Sequence, residues 1–343
     1  MDGSVGPKAR TGIVAIGRNE GERLKQCLRS LPRNIPAVYV DSGSTDGSIE
    51  FARGIGIEVI ELDMSIPFTA ARARNVGWRR LVSLIHGLEF VQFIDGDCEI
   101  DPQWLDQALK TLERDGMVAG VFGRRRERYP EATIYNRMCD DEWNTPIGEA
   151  ESCGGDVLFR VSALRAVDGY NDLLIAGEEP DLCLRLRREG WTLLRVDAAM
   201  TLHDAAISSF SAFWKRTERG GFAYAEHVWI HGNGAIPSWR RQLFGIIFWG
   251  LMLPLLLLLC NIAFFSQGCF PALVATMVVL SVYPLQITRV ARNKSTATTD
   301  PKFAWEYASL VVVGKVAQAI GVLRCWGRHM MRRPGKLIEY KGL

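Results

Sequence analysis

The chain has 343 residues, 48% of them hydrophobic, and its 41 Lys and Arg against 38 Asp and Glu leave a net charge of only +3. That length suits two domains or one domain with an appendage, and so small a charge excess argues against a nucleic-acid-binding surface. The cysteines at 27, 98, 139, 153 and 183 lack a metal-ligand spacing such as C-x-x-C, so reduced thiols are expected rather than a zinc site.

Residues 1–10 are polar and Gly-rich, which is not the pattern of a signal peptide. Gly12 to Ile16 reads as a first strand, and Asn19-Glu20-Gly21-Glu22 then opens a helix that Pro32 and Pro36 end. A second strand, Ala37 to Val40, runs into Asp41-Ser42-Gly43-Ser44-Thr45-Asp46-Gly47-Ser48, where Asp46 is a natural N-cap. Ile57 to Ile60 is a third strand, residues 69–85 a helix, and Phe90 to Ile94 a fourth strand. Strands alternating with helices predict a mostly parallel sheet with right-handed crossovers.

The fourth strand ends in Asp95-Gly96-Asp97. Open α/β sheets bind ligands at the carboxyl ends of their strands. Two carboxylates there are costly unless a cation or hydrogen bonds compensate them. A hard divalent cation shared with a diphosphate meets that need, although alone such a tripeptide is more often a solvated turn or a helix cap. Further on, Ser152-Cys153-Gly154-Gly155-Asp156 is a candidate acceptor pocket with Asp156 as its polar group, and a plain Gly-Gly turn is the alternative.

After Arg240-Arg241 the composition changes. Leu243 to Phe265 is a run of 23 uncharged residues and Phe270 to Ile287 one of 18, separated by Ser266-Gln267-Gly268-Cys269. A membrane hairpin is expected. Arg289, Arg292 and Lys294 follow it, so the positive-inside rule places both flanks, and the large N-terminal domain, in the cytoplasm. A third apolar stretch, Phe303 to Trp326, contains Glu306 and Lys315 and precedes Arg328, Arg332, Arg333 and Lys336. An interfacial or re-entrant helix is expected there, with a third span as the alternative. The expected layout is a catalytic domain over 1–235, a transmembrane hairpin over 236–290, and an interfacial helix with a basic tail over 291–343.

Neither G-x-x-x-x-G-K-[ST] nor G-x-G-x-x-G is present, which argues against a P-loop ATPase and an ordinary dinucleotide-binding domain. Five motifs in order do carry a resemblance: Asn19-Glu20, Val40 to Ser48, Ala73-Arg74-Asn75-Val76-Gly77, Asp95-Gly96-Asp97, and Gly177-Glu178-Glu179-Pro180-Asp181. Over residues 11–230 the chain resembles the inverting family 2 glycosyltransferases. The resemblance implies an α/β fold, the Rossmann-like GT-A nucleotide-sugar transferase domain, here with C-terminal transmembrane or interfacial helices. It implies a nucleotide-sugar donor, with UDP the expected nucleotide and dTDP or GDP left open, and a divalent cation, Mg²⁺ or Mn²⁺, held by Asp97 and His203. It puts Asn19, Glu20, Asp41, Ser44, Arg74, Asn75 and Asp95 on the donor side and Asp181 with the acceptor.

Inversion needs a base that deprotonates the acceptor hydroxyl. The family usually has Asp in second position of its Glu-Asp pair, where this chain has Glu179, with Glu178 as the other candidate. The plain alternative is two acids favouring a helix N-terminus. The Q-x-x-R-W pattern of processive synthases is missing around Trp214, so one sugar per acceptor is expected. The membrane segments point to a lipid-linked saccharide acceptor in polysaccharide assembly. A catalytically inactive nucleotide-sugar-binding scaffold is disfavoured by intact Asp97, Glu179 and His203.

Overall fold

A computed structural model describes residues 10–331 apart from 268, 269, 297 and 299. The N-terminal stretch before residue 10, Gly268-Cys269 of the hairpin connection, and Arg332, Arg333 and Lys336 of the basic tail lie outside the described residues. The chain divides into two compact units, residues 10–130 with 139–206, and residues 131–138 with 207–331, as far as they are described.

The first unit is built on nine strands: β1 (Thr11–Gly17), β2 (Ala37–Asp41), β3 (Glu58–Glu61), β4 (Phe90–Asp95), β5 (Cys98–Ile100), β6 (Val118–Glu127), β7 (Gly148–Glu149), β8 (Val157–Arg160) and β9 (Thr192–His203). Their order is β3-β2-β1-β4-β8-β6-β9-β5, with β7 paired to β9. Strands β3, β2, β1 and β4 are mutually parallel, as expected for helix-linked crossovers. The second half is different. β8 is antiparallel to β4 and β6, and β5 and β7 are antiparallel to β9, while β6 and β9 are parallel. The sheet is thus mixed rather than mostly parallel.

β1 and β4 are buried along almost their whole length, because strands covered on both faces read as unbroken apolar runs. Trp104, Tyr39, Phe90, Phe93 and Phe159 are the largest fully buried side chains. The one polar member of β4's core, Gln92, is satisfied: its Oε1 accepts from Trp104 Nε1 at 2.8 Å and its Nε2 donates to the Phe93 carbonyl at 2.6 Å, which removes the cost of burying an amide. The helix Ala70–Leu84 is capped by Thr69, whose side chain accepts from the Arg72 N–H. It lies close on the sheet because position 77 is glycine, where a Cβ would clash with Val14 and Val40. The helix after β2 runs Ser48–Gly54 and starts from Gly47, which takes the left-handed conformation. Asp46 still accepts from the Ser48 N–H at 3.1 Å.

The second unit is helical. Ser209 caps Phe210–His231, accepting from the Ala212 N–H. Among the described residues, three helices are long and apolar enough to cross a membrane by length and composition: Pro237–Ser266, Phe270–Ser295 and Pro301–Met330. The first two contain the expected runs 243–265 and 270–287. The third is one uninterrupted helix over the 303–326 stretch, capped by Asp300 and without a re-entrant break. It packs along Phe210–His231. Gly221 meets the backbone of Gln318, and Gly321 meets the backbone of Glu218, so closely that a Cβ at either position would collide. Arg324 pairs with Glu218, and Arg328 and His329 with Glu226.

Candidate active site

The Asp95-Gly96-Asp97 turn closes β4 and starts β5. Its middle residue is pressed against β1: the Gly96 N–H donates to the Ile16 carbonyl at 2.8 Å, and a Cβ there would lie 3.0 Å from that oxygen. Glycine between the two acids is therefore a packing requirement. β5 was not visible in the sequence, and it matters because it registers Cys98 opposite His203 on β9. Asp97, 4% exposed, is thereby placed with its Oδ2 3.2 Å from His203 Nε2. Burial pulls the imidazole's proton affinity down, but the adjacent Asp97 carboxylate outweighs it and holds His203 above its ordinary value. Cys98 Sγ completes a group of three potential ligand atoms within 4.8 Å of one another. Burial pushes the Cys98 thiol well up, and a neutral thiol is a poor ligand. The carboxylate and imidazole are a donor pair suited to Mg²⁺ or Mn²⁺ when a diphosphate and water supply the remaining positions.

Arg74 is the hub. It is 2% exposed. One nitrogen donates to Asp95 Oδ1 at 2.8 Å; the other reaches Glu178 Oε1 and Glu179 Oε1, each at 3.1 Å. Gly155 lies against this bridge, and a Cβ there would strike Arg74 and come within 2.5 Å of Asp95 Oδ2. Glu178 and Glu179 open the helix Glu178–Arg188, entered through Gly177 in the left-handed conformation. A helix N-terminus stabilises carboxylates. Burial and the charge of neighbouring Glu178 nevertheless raise Glu179 to about 7, with Arg74 opposing them. Glu179 retains 17% side-chain exposure against 5% for Glu178, so it is the acid open to an incoming group.

On the nucleotide side, two loops are knitted together. The Asn19 N–H donates to Ser44 Oγ at 2.9 Å, and Asn19 Oδ1 accepts from the Thr45 N–H at 2.8 Å. Asn19 sits at φ 52°, a left-handed conformation that asparagine tolerates better than most residues. Glu20 pairs with Arg23 at 2.8 Å. Asp41, fully buried, accepts from Tyr39 Oη and from the Gly43 and Ser44 N–H groups. Its carboxylate shapes the loop that carries Ser44.

Asn75, Asp156 and Asp181 are buried and bonded to other protein groups. Asn75, assigned to the donor, is 1% exposed and fully bonded: its Nδ2 donates to the Tyr170 carbonyl and Asp172, and its Oδ1 accepts from Trp78 Nε1 and the Tyr170 N–H. It anchors the loop leading to Glu178. Asp156, assigned to the acceptor, is 1% exposed and accepts from the Asp95 N–H, Thr201 Oγ1 and Arg125. It supports the Asp-x-Asp turn from beneath. Asp181 is 2% exposed and paired with Arg185 at 2.8 Å.

Arg125, Glu127 and Trp143 belong to no motif that local pattern reveals. Arg125 bridges Asp156 at 2.9 Å and Asp95 at 3.5 Å and packs over the Trp143 ring at 5.5 Å. It is the middle of three consecutive arginines, and register shifts flank Arg124. Strand alternation, the only local guide, breaks down there.

An Asp-x-Asp turn at the end of a parallel strand, a histidine beside it and a buried acid pair tied to it by Arg74 form an arrangement suited to a nucleotide-sugar donor and a divalent cation. Residues 13–164, 152 of the 343, match the profile of the family described as "Glycosyl transferase family 2". Among curated proteins the chain is 25% identical over 248 residues to Glycosyltransferase AglE of Haloferax volcanii, covering 68% of this chain and 77% of that one. It is 27% identical to the Pre-mycofactocin glycosyltransferase of Mycobacterium tuberculosis over 58% of this chain and 44% of that one. It is 22% identical to Succinoglycan biosynthesis protein ExoA of Rhizobium meliloti over 59% and 66%. Among solved structures, the mannosyltransferase PcManGT from Pyrobaculum calidifontis, in complex with GDP-Man and Mn²⁺, superposes with a TM-score of 0.57 at 18% identity, covering 93% of this chain and 90% of that one. That likeness concerns the fold.

Proposed function

We propose that this chain is an inverting transferase that moves one sugar from a nucleoside-diphosphate donor to a lipid-linked saccharide in the assembly of a surface or extracellular glycan. The observation that carries the reading is the Arg74 bridge. One buried guanidinium joins the Asp-x-Asp turn to the acid pair, so donor-side and acceptor-side groups face one another across a single side chain. Asp97 and His203 would hold Mg²⁺ or Mn²⁺, which supplies positive charge to the departing diphosphate. Asp95, Asn19 and Ser44 line the donor side. Glu179 takes the proton of the acceptor hydroxyl as that oxygen bonds to the anomeric carbon; the bond from that carbon to the diphosphate breaks on the opposite face, and the nucleoside diphosphate leaves. A base poised near neutrality is well matched to this task.

The names of the AglE and ExoA relatives support glycan assembly, and the apolar helices support an acceptor held in a membrane. The helices Pro237–Ser266 and Phe270–Ser295 form the hairpin, with their Arg- and Lys-rich flanks cytoplasmic. Pro301–Met330 lies in the interface. Its packing partner, Phe210–His231, carries Lys215, Arg216, Glu218, Arg219 and Glu226, and a helix so charged is excluded from hydrocarbon.

The deciding experiment uses the detergent-purified chain and a panel of UDP-, GDP- and dTDP-sugars, reading nucleoside diphosphate release with Mg²⁺, Mn²⁺ or EDTA. Release from one donor, lost with EDTA and with Asp97→Asn, supports the reading. Failure of every donor nucleotide to bind sinks it.

A further inference from the structure

The far side of the His203 ring is built as carefully as the near side. Nε2 faces Asp97, while Nδ1 is buried, makes no hydrogen bond, and points at Glu127 Oε2 from 3.8 Å. Glu127 ends β6 in register with His203 on β9 and is 3% exposed. Its carboxylate is pinned: Oε2 accepts from the Ala205 N–H at 3.0 Å and Oε1 from the Tyr129 N–H at 3.1 Å. Trp143 stands edge-on to the imidazole with ring centroids 4.5 Å apart, which limits rotation of the ring. A carboxylate held still behind an imidazole does one thing well. It accepts a proton-bearing Nδ1, and so leaves the Nε2 lone pair free to ligate.

We infer that Glu127 is a positioning residue for the cation: it selects the Nδ1–H tautomer of His203 and aims Nε2 at the ion beside Asp97. This rests on the reading of Asp97 and His203 as metal ligands. When an ion replaces the Asp97–His203 contact, Nε2 gives up its hydrogen bond to Asp97. The ring proton then belongs on Nδ1, and a shift of a few tenths of an ångström brings it within hydrogen-bonding distance of Glu127. The two backbone bonds to Glu127 keep the acceptor from following a mobile ring.

The test is a double-mutant cycle on Mn²⁺ affinity, read from the free-ion electron paramagnetic resonance signal of the full chain in detergent. Glu127→Gln is expected to weaken Mn²⁺ binding about 10- to 100-fold, the usual cost of losing such an outer partner. On a His203→Ala background the same substitution is expected to change affinity less than about twofold, because its effect passes through the imidazole. Glu127→Asp, which keeps the charge but withdraws it by one methylene, serves if the Gln variant does not fold, with the same contrast between backgrounds. Wild-type affinity in the Glu127 variants overturns the inference, and so does an equal loss with and without His203, which would mark Glu127 as a strand-end tie only. If the unaltered chain itself binds no Mn²⁺, the metal site fails and this inference falls with it.

Discussion

Glu179 Oε1 lies 3.1 Å from the Nη1 of Arg74, an arginine placed more than a hundred residues earlier and almost wholly buried. The pair ties the helix of the acid pair to the helix that carries Arg74. Glu178, Glu179 and Asp95 would repel one another strongly if Arg74 were removed, since an uncompensated buried charge costs far more than an exposed one.

Arg74→Ala is therefore expected to destabilise the first unit by about 3–5 kcal/mol as well as abolish transfer. Denaturant unfolding of the purified chain checks the first effect. Arg74→Lys restores the charge but not the two-sided fork, so it is expected to recover much of the stability and little of the activity.

Glu179 sets the pH response. With its proton affinity raised to about 7, kcat/KM is expected to rise with pH and level off above about 7, as the ionised base accumulates. Glu179→Gln is expected to lower kcat by about 10²–10⁴-fold and remove that limb. Stability moves the other way. In the unfolded chain this carboxyl ionises near 4.5 while in the folded chain it keeps its proton to about 7, so the unfolded state binds fewer protons in that window. Stability then falls as pH rises from about 4.5 to about 7, and a Glu179→Gln chain is expected to lack this decline. A pH series of melting curves on both chains checks it.

Asp97→Asn is expected to weaken divalent-cation-dependent nucleotide binding, and His203→Ala to do the same with a loss of stability as well, because it empties a buried site beside Trp143 and leaves Asp97 without its partner. Calorimetric titration of nucleoside diphosphate with Mn²⁺ and with EDTA measures this. If nucleotide binding is the same in EDTA as in Mn²⁺, the metal role of the pair is wrong.

Gly155→Ala places a methyl group where the Arg74–Asp95 contact already stands. Overpacking of this kind costs about 1–3 kcal/mol. The expected result is a loss of transfer disproportionate to the loss of stability, because the displaced groups are those of the site. Gly154→Ala is the control: a Cβ there would come no closer than 3.9 Å to Arg125.

The proposed interfacial placement of Pro301–Met330 can be tested directly. Trp305 is 48% exposed. With the other tryptophans replaced by Phe, quenching by lipids brominated at different depths should be strongest for shallow positions. Strongest quenching by labels near the bilayer centre would mean that the helix spans.

Much of the site was legible because its chemistry sits at strand ends in short motifs. Asp95 and Asp97 follow an apolar run that can only be a buried strand, and Arg74 sits in a helix whose small residues face the sheet. Asn75 and Asp156 were equally visible, but their partners were not. Asn75 is consumed by the loop at Tyr170 and Asp172, and Asp156 by Thr201 and Arg125. No local pattern announces partners so distant in the chain. Arg125 and Glu127 escaped notice because the bulged end of β6 breaks the alternation that assigns faces.

What the residues alone determined was the kind of protein: the alternation of strands and helices, the acids at the ends of β2 and β4, the acid pair opening a helix, and the apolar runs after Arg241. These follow from periodicity, capping and composition, which act over a few residues. Tertiary structure decided the rest. The direction of β8 and the insertion of β5 depend on pairings between strands far apart in sequence. Only those pairings bring His203 to Asp97, Glu127 to His203, and Arg74 between Asp95 and Glu179. Proximity across the fold, not the identity of any one residue, sets which acid is buried, which is paired, and which keeps a proton near neutral pH.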